Sequence, residues 1–226
     1  MSTTTSLFNV TAPNWNDIKQ AEVTGAASLQ SDSSVLIPTS QGDLYIAFHA
    51  FGVRLQIGKK DQPDYGLLVS TPDVIAADIV SSEQQTILIA GDSKLVITHT
   101  PFTFELSQNS KTIQQTATDG HFVRRYRLPP LAKVDKGWLM SLELDTDEAV
   151  YGLGEKWGSL NKRGQLVRSY NHDALGINAE ISYKNTPFCW SPSGWGVFVH
   201  TPAPVTHAVG YATWSPRAYG VLVEDE

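Results

Sequence analysis

Three carboxylates, Glu155, Asp173 and Glu180, fall between Ala149 and Trp190, in a stretch crowded with glycine, aromatic and amide residues. Acid and base chemistry on a glycosidic bond needs two carboxyl groups a few ångströms apart, so the set is a candidate for it. The flanks differ. Glu155 stands in Gly154-Glu155-Lys156-Trp157, where a carboxylate beside turn glycines forms an ion pair or caps backbone donors and so fixes the loop. Asp173 closes Tyr170-Asn171-His172-Asp173, a polar run long enough to project away from a sheet. Two readings stay open for it from the residues alone. Its carboxylate can accept hydrogen bonds from two sugar hydroxyls, a contact worth about 1.5–3 kcal/mol when well placed, or it can form an Asx-type turn.

Other chemistries find no pattern. Gly152, Gly154 and Gly158 miss the spacing of a dinucleotide fingerprint, and no phosphate-loop lysine-serine pair accompanies them, so no cofactor is expected. The histidines at 49, 99, 121, 172, 200 and 207 include no i, i+4 pair with an acidic partner and no Cys-His cluster, so no metal is expected either. No Gly-x-Ser-x-Gly elbow occurs, and Ser191-Pro192-Ser193-Gly194 reads as a turn between strands. The single cysteine, Cys189, lies between Phe188 and Trp190 and reads as a small buried hydrophobe.

The elements that must position these residues are written in β patterns. Leu44 to Phe51 alternates and resumes through Val53, Leu55 and Ile57 after Gly52, as a strand with a bulge or tight turn at the glycine does. Thr86–Ala90 and Leu95–Thr100 flank Gly91-Asp92-Ser93, a hairpin signal. Phe102, Phe104 and Leu106 alternate before a turn at Asn109-Ser110-Lys111, and Trp138–Leu144, Gly196–His200 and Tyr219–Val223 continue the series. No window carries a sustained 3.6-residue apolar stripe, so the expectation is an all-β sandwich with few, short helices. Residues 1–25, rich in Thr, Ser and Asn, are expected to be an irregular lead-in, and residues 26–226 one sandwich with a long excursion, with Pro129-Pro130 the best linker candidate.

Composition bounds the partners. In 226 residues the net charge is −6, whereas a nucleic-acid binder shows a basic excess, so nucleic acid is not expected as a partner. No apolar run approaches the roughly 18 residues of a membrane span, and Met1–Trp15 lacks the basic and apolar regions of a signal peptide. A cytoplasmic setting without membrane contact is therefore expected.

Three blocks in order, YGLGEKWGSLNKRGQ, SYNHDALG and YKNTPFCWSPSGWGVFVH, resemble the amino-terminal domain of glycoside hydrolase family 31, the α-glucosidases, α-xylosidases and related retaining enzymes. The upstream runs DLYIAFHAFGVRLQIG and THTPFTFELSQNSKTI are similar to early strands of that domain. The resemblance implies a galactose-mutarotase-like β-sandwich (a supersandwich) packed on a catalytic (β/α)8 barrel, expected after residue 226. It also implies an α-linked oligosaccharide or glycoside as ligand. The family's catalytic aspartates lie on barrel loops, so this chain is expected to hold no catalytic residue. What the domain lends is a loop whose Asn-x-Asp aspartate matches Asp173 and whose asparagine matches Asn171. The family commonly has arginine between them, and His172 stands there in this chain. An imidazole replaces a fixed fork of donors, which changes what that position offers to a sugar.

By the same resemblance, Glu155, Trp157, Tyr183, Lys184 and Phe188 belong to the loop and the barrel-facing interface, and Trp190 and Trp195 to the core or interface. Two alternatives are a free-standing carbohydrate-binding module and an aldose-epimerase-like enzyme. The second requires His99, His121 or His200 to face a carboxylate across a sheet.

Overall fold

The computed structural model of the chain describes residues 17–60, 65–117, 128–135, 137–173 and 182–225. Among these residues there are eighteen strands and no helix, so the all-β expectation stands and the few short helices do not appear. The chain divides into two compact units, residues 19–116 with 130–133, and residues 1–18, 117–129 and 134–226. One boundary thus falls between Pro129 and Pro130, where two residues without backbone N–H groups cannot donate to a sheet ladder.

The first unit contains β1 (Lys19–Gln20), β2 (Ser28–Leu29), β3 (Val35–Thr39), β4 (Gly42–His49), β5 (Gly52–Ile57), β6 (Asp78–Ser81), β7 (Gln85–Ala90), β8 (Ser93–Thr98), β9 (Thr103–Gln108), β10 (Lys111–Gln115) and β11 (Leu131–Val134). Strands β2 to β5 form one antiparallel meander and β6 to β10 another. The expected turns are where the residues put them. Gly91 and Asp92 join β7 to β8, and Asn109 and Ser110, both at positive φ, join β9 to β10. The break at Gly52 is a tight turn over Ala50 and Phe51, and β4 then pairs directly with β5. Alternate residues enter the core: Val35, Ile37, Leu44, Ile46, Leu88, Leu95 and Ile97 are almost wholly buried, as period-two patterning requires.

The second unit holds the opening stretch. Its strands are β12 (Gly137–Glu143), β13 (Tyr151–Gly152), β14 (Gln165–Ser169), β15 (Phe188–Ser191), β16 (Trp195–Phe198), β17 (Val205–Val209) and β18 (Ala218–Val223). Antiparallel pairing runs β12-β18-β17-β14, while β13, β15 and β16 make a separate three-stranded sheet. Strand β18 is central and reads as a nearly continuous apolar run, AYGVLV, because both its faces are covered. Its Gly220 is a packing requirement: a Cβ there would lie 2.9 Å from the Trp214 ring and 3.2 Å from Leu128. Leu139, Ala208, Trp214, Ala218 and Leu222 form the heart of this core.

Leu139 is fully buried in that cluster. Leu139→Ala is expected to cost about 2–5 kcal/mol of unfolding free energy, read as a lower urea midpoint with an unchanged m-value.

Candidate functional site

Strand β14 feeds the polar run. Its last residue, Ser169, pairs with Val205 of β17, and the chain then leaves the sheet through Tyr170, Asn171, His172 and Asp173. It is met by the returning chain at Ser182: Asn171 and Ser182 form a parallel bridge, and the His172 N–H donates to the Ser182 carbonyl at 3.1 Å. Tyr170 and His172 contact edge to face at 5.0 Å between ring centroids. Asp173 follows this junction directly, with an exposed side chain. Glu180 lies outside the described residues.

The junction is knotted by an asparagine whose partners sequence reasoning did not identify. Asn185 donates its backbone N–H to Asn171 Oδ1 at 3.0 Å. Its side-chain Nδ2 reaches the Tyr170 carbonyl at 2.9 Å, Asn171 Oδ1 at 2.9 Å and the Ser182 carbonyl at 2.8 Å. Ser182 Oγ donates back to Asn185 Oδ1 at 3.3 Å. The only hint in the sequence is the run Tyr183-Lys184-Asn185-Thr186 itself, since every partner but Ser182 comes from before the excursion.

The glycine turn seats against the same residues. Gly152 and Gly154 have φ of 109° and 80°, and Leu153 between them is also left-handed at 68°. A Cβ on Gly152 would lie 2.5 Å from the Phe188 carbonyl oxygen. One on Gly154 would lie 2.7 Å from the Thr186 nitrogen and 2.9 Å from the Asn185 Cα, and would also strike the Lys184 carbonyl. Leu153 N–H donates to Phe188 O at 2.8 Å and Glu155 N–H to Lys184 O at 3.0 Å. These glycines therefore serve close backbone approach. The Glu155 carboxylate pairs with Lys184 at 3.3 Å, both groups half-exposed, a contact worth under about 1 kcal/mol.

Beside this turn the three-stranded sheet presents an aromatic face. Period two puts Cys189 and Ser191 inside and Phe188 and Trp190 outside. Phe188 pairs with Phe198, and its ring lies over Gly196, where a Cβ would come within 3.1 Å. Tyr151 packs against Trp190 at 5.1 Å between ring centroids. Tyr151, Leu160 and Trp190 line an open groove of about 340 Å³ with Lys156 and Lys162 at its polar side. Lys156 Nζ donates to the Arg168 carbonyl at 2.7 Å, and the buried Lys162 to the Ser159 carbonyl at 3.0 Å; burial pulls the Lys162 pKa down. Trp157 is 67% exposed, Leu160 82% and Tyr183 48%, whereas Trp195 is buried.

The epimerase-like arrangement is not found in His99, whose ring nitrogens meet Thr86 Oγ1 and the Glu83 carbonyl. His200 stacks on Phe198, and His121 lies outside the described residues. Among the described residues no group of three His, Cys, Asp or Glu side chains could hold a metal.

Residues 45–207 match the family model described as the glycosyl hydrolase 31 N-terminal galactose mutarotase-like domain. The chain belongs to this family. It is 38% identical over 99 residues to an α-xylosidase of Emericella nidulans, covering 43% of this chain and 11% of that one. It is 28% identical over 165 residues to α-xylosidase XylQ of Lactiplantibacillus pentosus, covering 72% and 21%. The chain thus spans a tenth to a fifth of the length of these relatives. The fold is shared with a Flavobacterium johnsoniae GH31 dextranase complexed with isomaltotriose, at TM-score 0.71 and 16% identity over 90% of this chain and 25% of that one. It is also shared with the cycloalternan-forming enzyme of Listeria monocytogenes complexed with a pentasaccharide substrate, at TM-score 0.70 and 16% identity over 92% and 20%.

Behind the loop, this galactose mutarotase-like domain buries polar groups that sequence reasoning also missed. Glu148 Oε1 accepts from Ser191 Oγ and Trp195 Nε1, each at 2.6 Å, and Oε2 from the Asp145 N–H at 3.1 Å. Burial alone would raise its pKa, but these donors overcome it and hold the carboxyl below its usual value. His207 is fully buried, between the Tyr219 hydroxyl at 2.7 Å and Ser169 Oγ at 3.1 Å. Tyr219 in turn bonds Cys189, whose thiol burial pushes up to about 11. Cys189 is therefore an inert core residue, as read from the sequence.

Burial, and behind it the positive charge of Lys156, lower the His207 pKa from 6.5 to about 3. Between those values the unfolded chain takes up a proton that the folded chain refuses, so stability falls as pH drops. Unfolding free energy is expected to fall by about 1.4 kcal/mol per pH unit in that window from this group, and His207→Gln to remove that part of the slope. Urea titrations at a series of pH values between neutral and mildly acidic read it directly.

Proposed function

We propose that this chain is the non-catalytic amino-terminal domain of a retaining α-glycoside hydrolase acting on α-xylosides or α-glucosides. It packs on a catalytic (β/α)8 barrel of the same polypeptide and lends Asp173 to the sugar-binding subsites on the leaving-group side. The observation that carries the reading is the exposed Asp173 at the mouth of a hydrogen-bonded junction, within a domain of this family. An exposed carboxylate beside a hydrogen-bonded junction can accept from two sugar hydroxyls at a lower entropic cost than one on a loose chain. His172, half-buried against Tyr170, adds a neutral or singly charged donor where an arginine would add a permanent charge.

The aromatic surface supports the packing. Phe188, Trp190 and Phe198 share one face of a sheet and are each more than a third exposed, and Trp157 and Tyr183 of the same unit are exposed too. Such a grouping on a soluble domain marks a surface that another domain covers. The 11% and 21% coverage of the two α-xylosidases supports a larger parent enzyme.

In the full-length enzyme, Asp173→Ala is expected to lower kcat/KM on α-xylosyl-glucose or maltose by roughly 10- to 100-fold, the equivalent of one charged hydrogen-bonding contact. It should leave α-xylosyl or α-glucosyl fluoride, which carry no leaving-group sugar, near the unmodified rate. Unchanged disaccharide kinetics would sink the assignment of Asp173.

A further inference from the structure

We infer that Asn185 is the positioning residue of the Asp173 loop, and that its carboxamide sets specificity for the leaving-group sugar without touching it. The inference rests on the reading of Asp173 given above and deepens it. Among the described residues, Asn185 is the side chain that bonds both arms of the junction: Tyr170 and Asn171 on the outgoing chain, Ser182 on the returning one. Its own N–H adds a further bond to Asn171 Oδ1.

The chemistry admits few other residues. Three oxygens surround Nδ2 at 2.8–2.9 Å, so the nitrogen must be there and not the oxygen, and its two hydrogens are shared among three acceptors. Aspartate has the same outline with no donor, and would set an anion against those three oxygens. Alanine would leave the Tyr170 carbonyl and Asn171 Oδ1 short of a partner. Asn171 differs, because both bonds to its side chain that involve Asn185 end on Oδ1 as acceptor, and a carboxylate supplies that oxygen equally well. The two asparagines are therefore predicted to respond oppositely to the same substitution.

The junction is also backed on its far side. Gly154 seats against Asn185 Cα and the Thr186 nitrogen, and Glu155 bonds the Lys184 carbonyl, so the backbone carrying Asn185 is fixed in place. Motion released by losing its carboxamide falls on the residues it holds, Tyr170 and Asn171, and through them on Asp173 two positions further along. A shift of about 1 Å in a substrate-binding group is enough to cost up to 100-fold in rate.

The test uses the full-length enzyme with Asn185→Ala, Asn185→Asp, Asn171→Asp, Asp173→Ala and the double variant Asn185→Ala/Asp173→Ala. Kinetics are read on α-xylosyl-glucose and maltose, and on α-xylosyl and α-glucosyl fluoride. Amide hydrogen exchange at His172 and Asn185 reports the junction itself. Both Asn185 variants are expected to lose about 10-fold or more in kcat/KM on the disaccharide that the enzyme cleaves, to keep the fluoride rate, and to exchange faster at His172. Asn171→Asp is expected to lose less than Asn185→Asp on the disaccharide and to raise exchange at His172 less, and the double variant to be no worse than Asp173→Ala, since a positioning residue has no effect once the group it positions is gone.

Equal damage from Asn171→Asp and Asn185→Asp, or additive losses in the double variant, overturns the inference. Fluoride and disaccharide rates falling together also overturn it, because that is the mark of general destabilisation. If Asp173→Ala is silent on disaccharides while His172 exchange still rises in the Asn185 variants, the clamp is real and it is the reading of Asp173 that has failed.

Discussion

Everything in the second unit depends on how closely two backbones approach where residues 152–154 cross residues 184–188. A side chain at Gly152 or Gly154 would collide with main-chain atoms that cannot move aside, so the contact exists only because those Cβ atoms are missing. The approach allows Leu153 and Glu155 to bond the carbonyls of Phe188 and Lys184, which holds β15 against β13 and fixes the backbone on either side of Asn185. From there the order of dependence runs outward. Asn185 ties the junction, the junction orients the chain that carries Asp173, and β15 turns Phe188 and Trp190 outward. A local steric rule thereby couples the loop of Asp173 to the apolar face beside it.

Glu148 and His207, buried behind that surface, are each matched to their neighbours, one in its charged and one in its uncharged state. Glu148 keeps its charge because three donors converge on it, and His207 surrenders its charge because it is fully buried with hydroxyl partners on both ring nitrogens. Neither is arranged for proton transfer to a ligand, since both are closed off from solvent. They tie strands β14, β15, β16, β17 and β18 to one another.

Strands were legible in the sequence wherever apolar residues alternated between turn formers, as in the β4–β5 and β7–β8 hairpins, because that pattern is local. The same locality explains the reading of Cys189 as core and of Glu155 as a loop carboxylate. Partners supplied from far along the chain were not legible. Asn185 looks like any amide in a polar run, and Glu148 like any exposed acid, until Tyr170, Ser191 and Trp195 are brought beside them. The outward turn of Trp190, against the inward one of Trp195, was open for a related reason: it depends on the register between β15 and β16, and a one-residue slip would exchange the two faces. The three-block resemblance was legible because it lies in residue identities at fixed spacing, and it covers the very loop whose internal bonding was not.

The junction's reliance on a carboxamide also gives it a lifetime. Asparagine side chains hydrolyse slowly to aspartate when the following backbone nitrogen attacks the amide carbon, and at Asn185 that event would replace the donor facing three oxygens with a negative charge. The hydrogen bonds that make Asn185 useful also hold its amide away from the bent geometry the attack needs. The folded junction is thus its own preservative, and this ageing at Asn185 would begin only in molecules whose junction had already come undone.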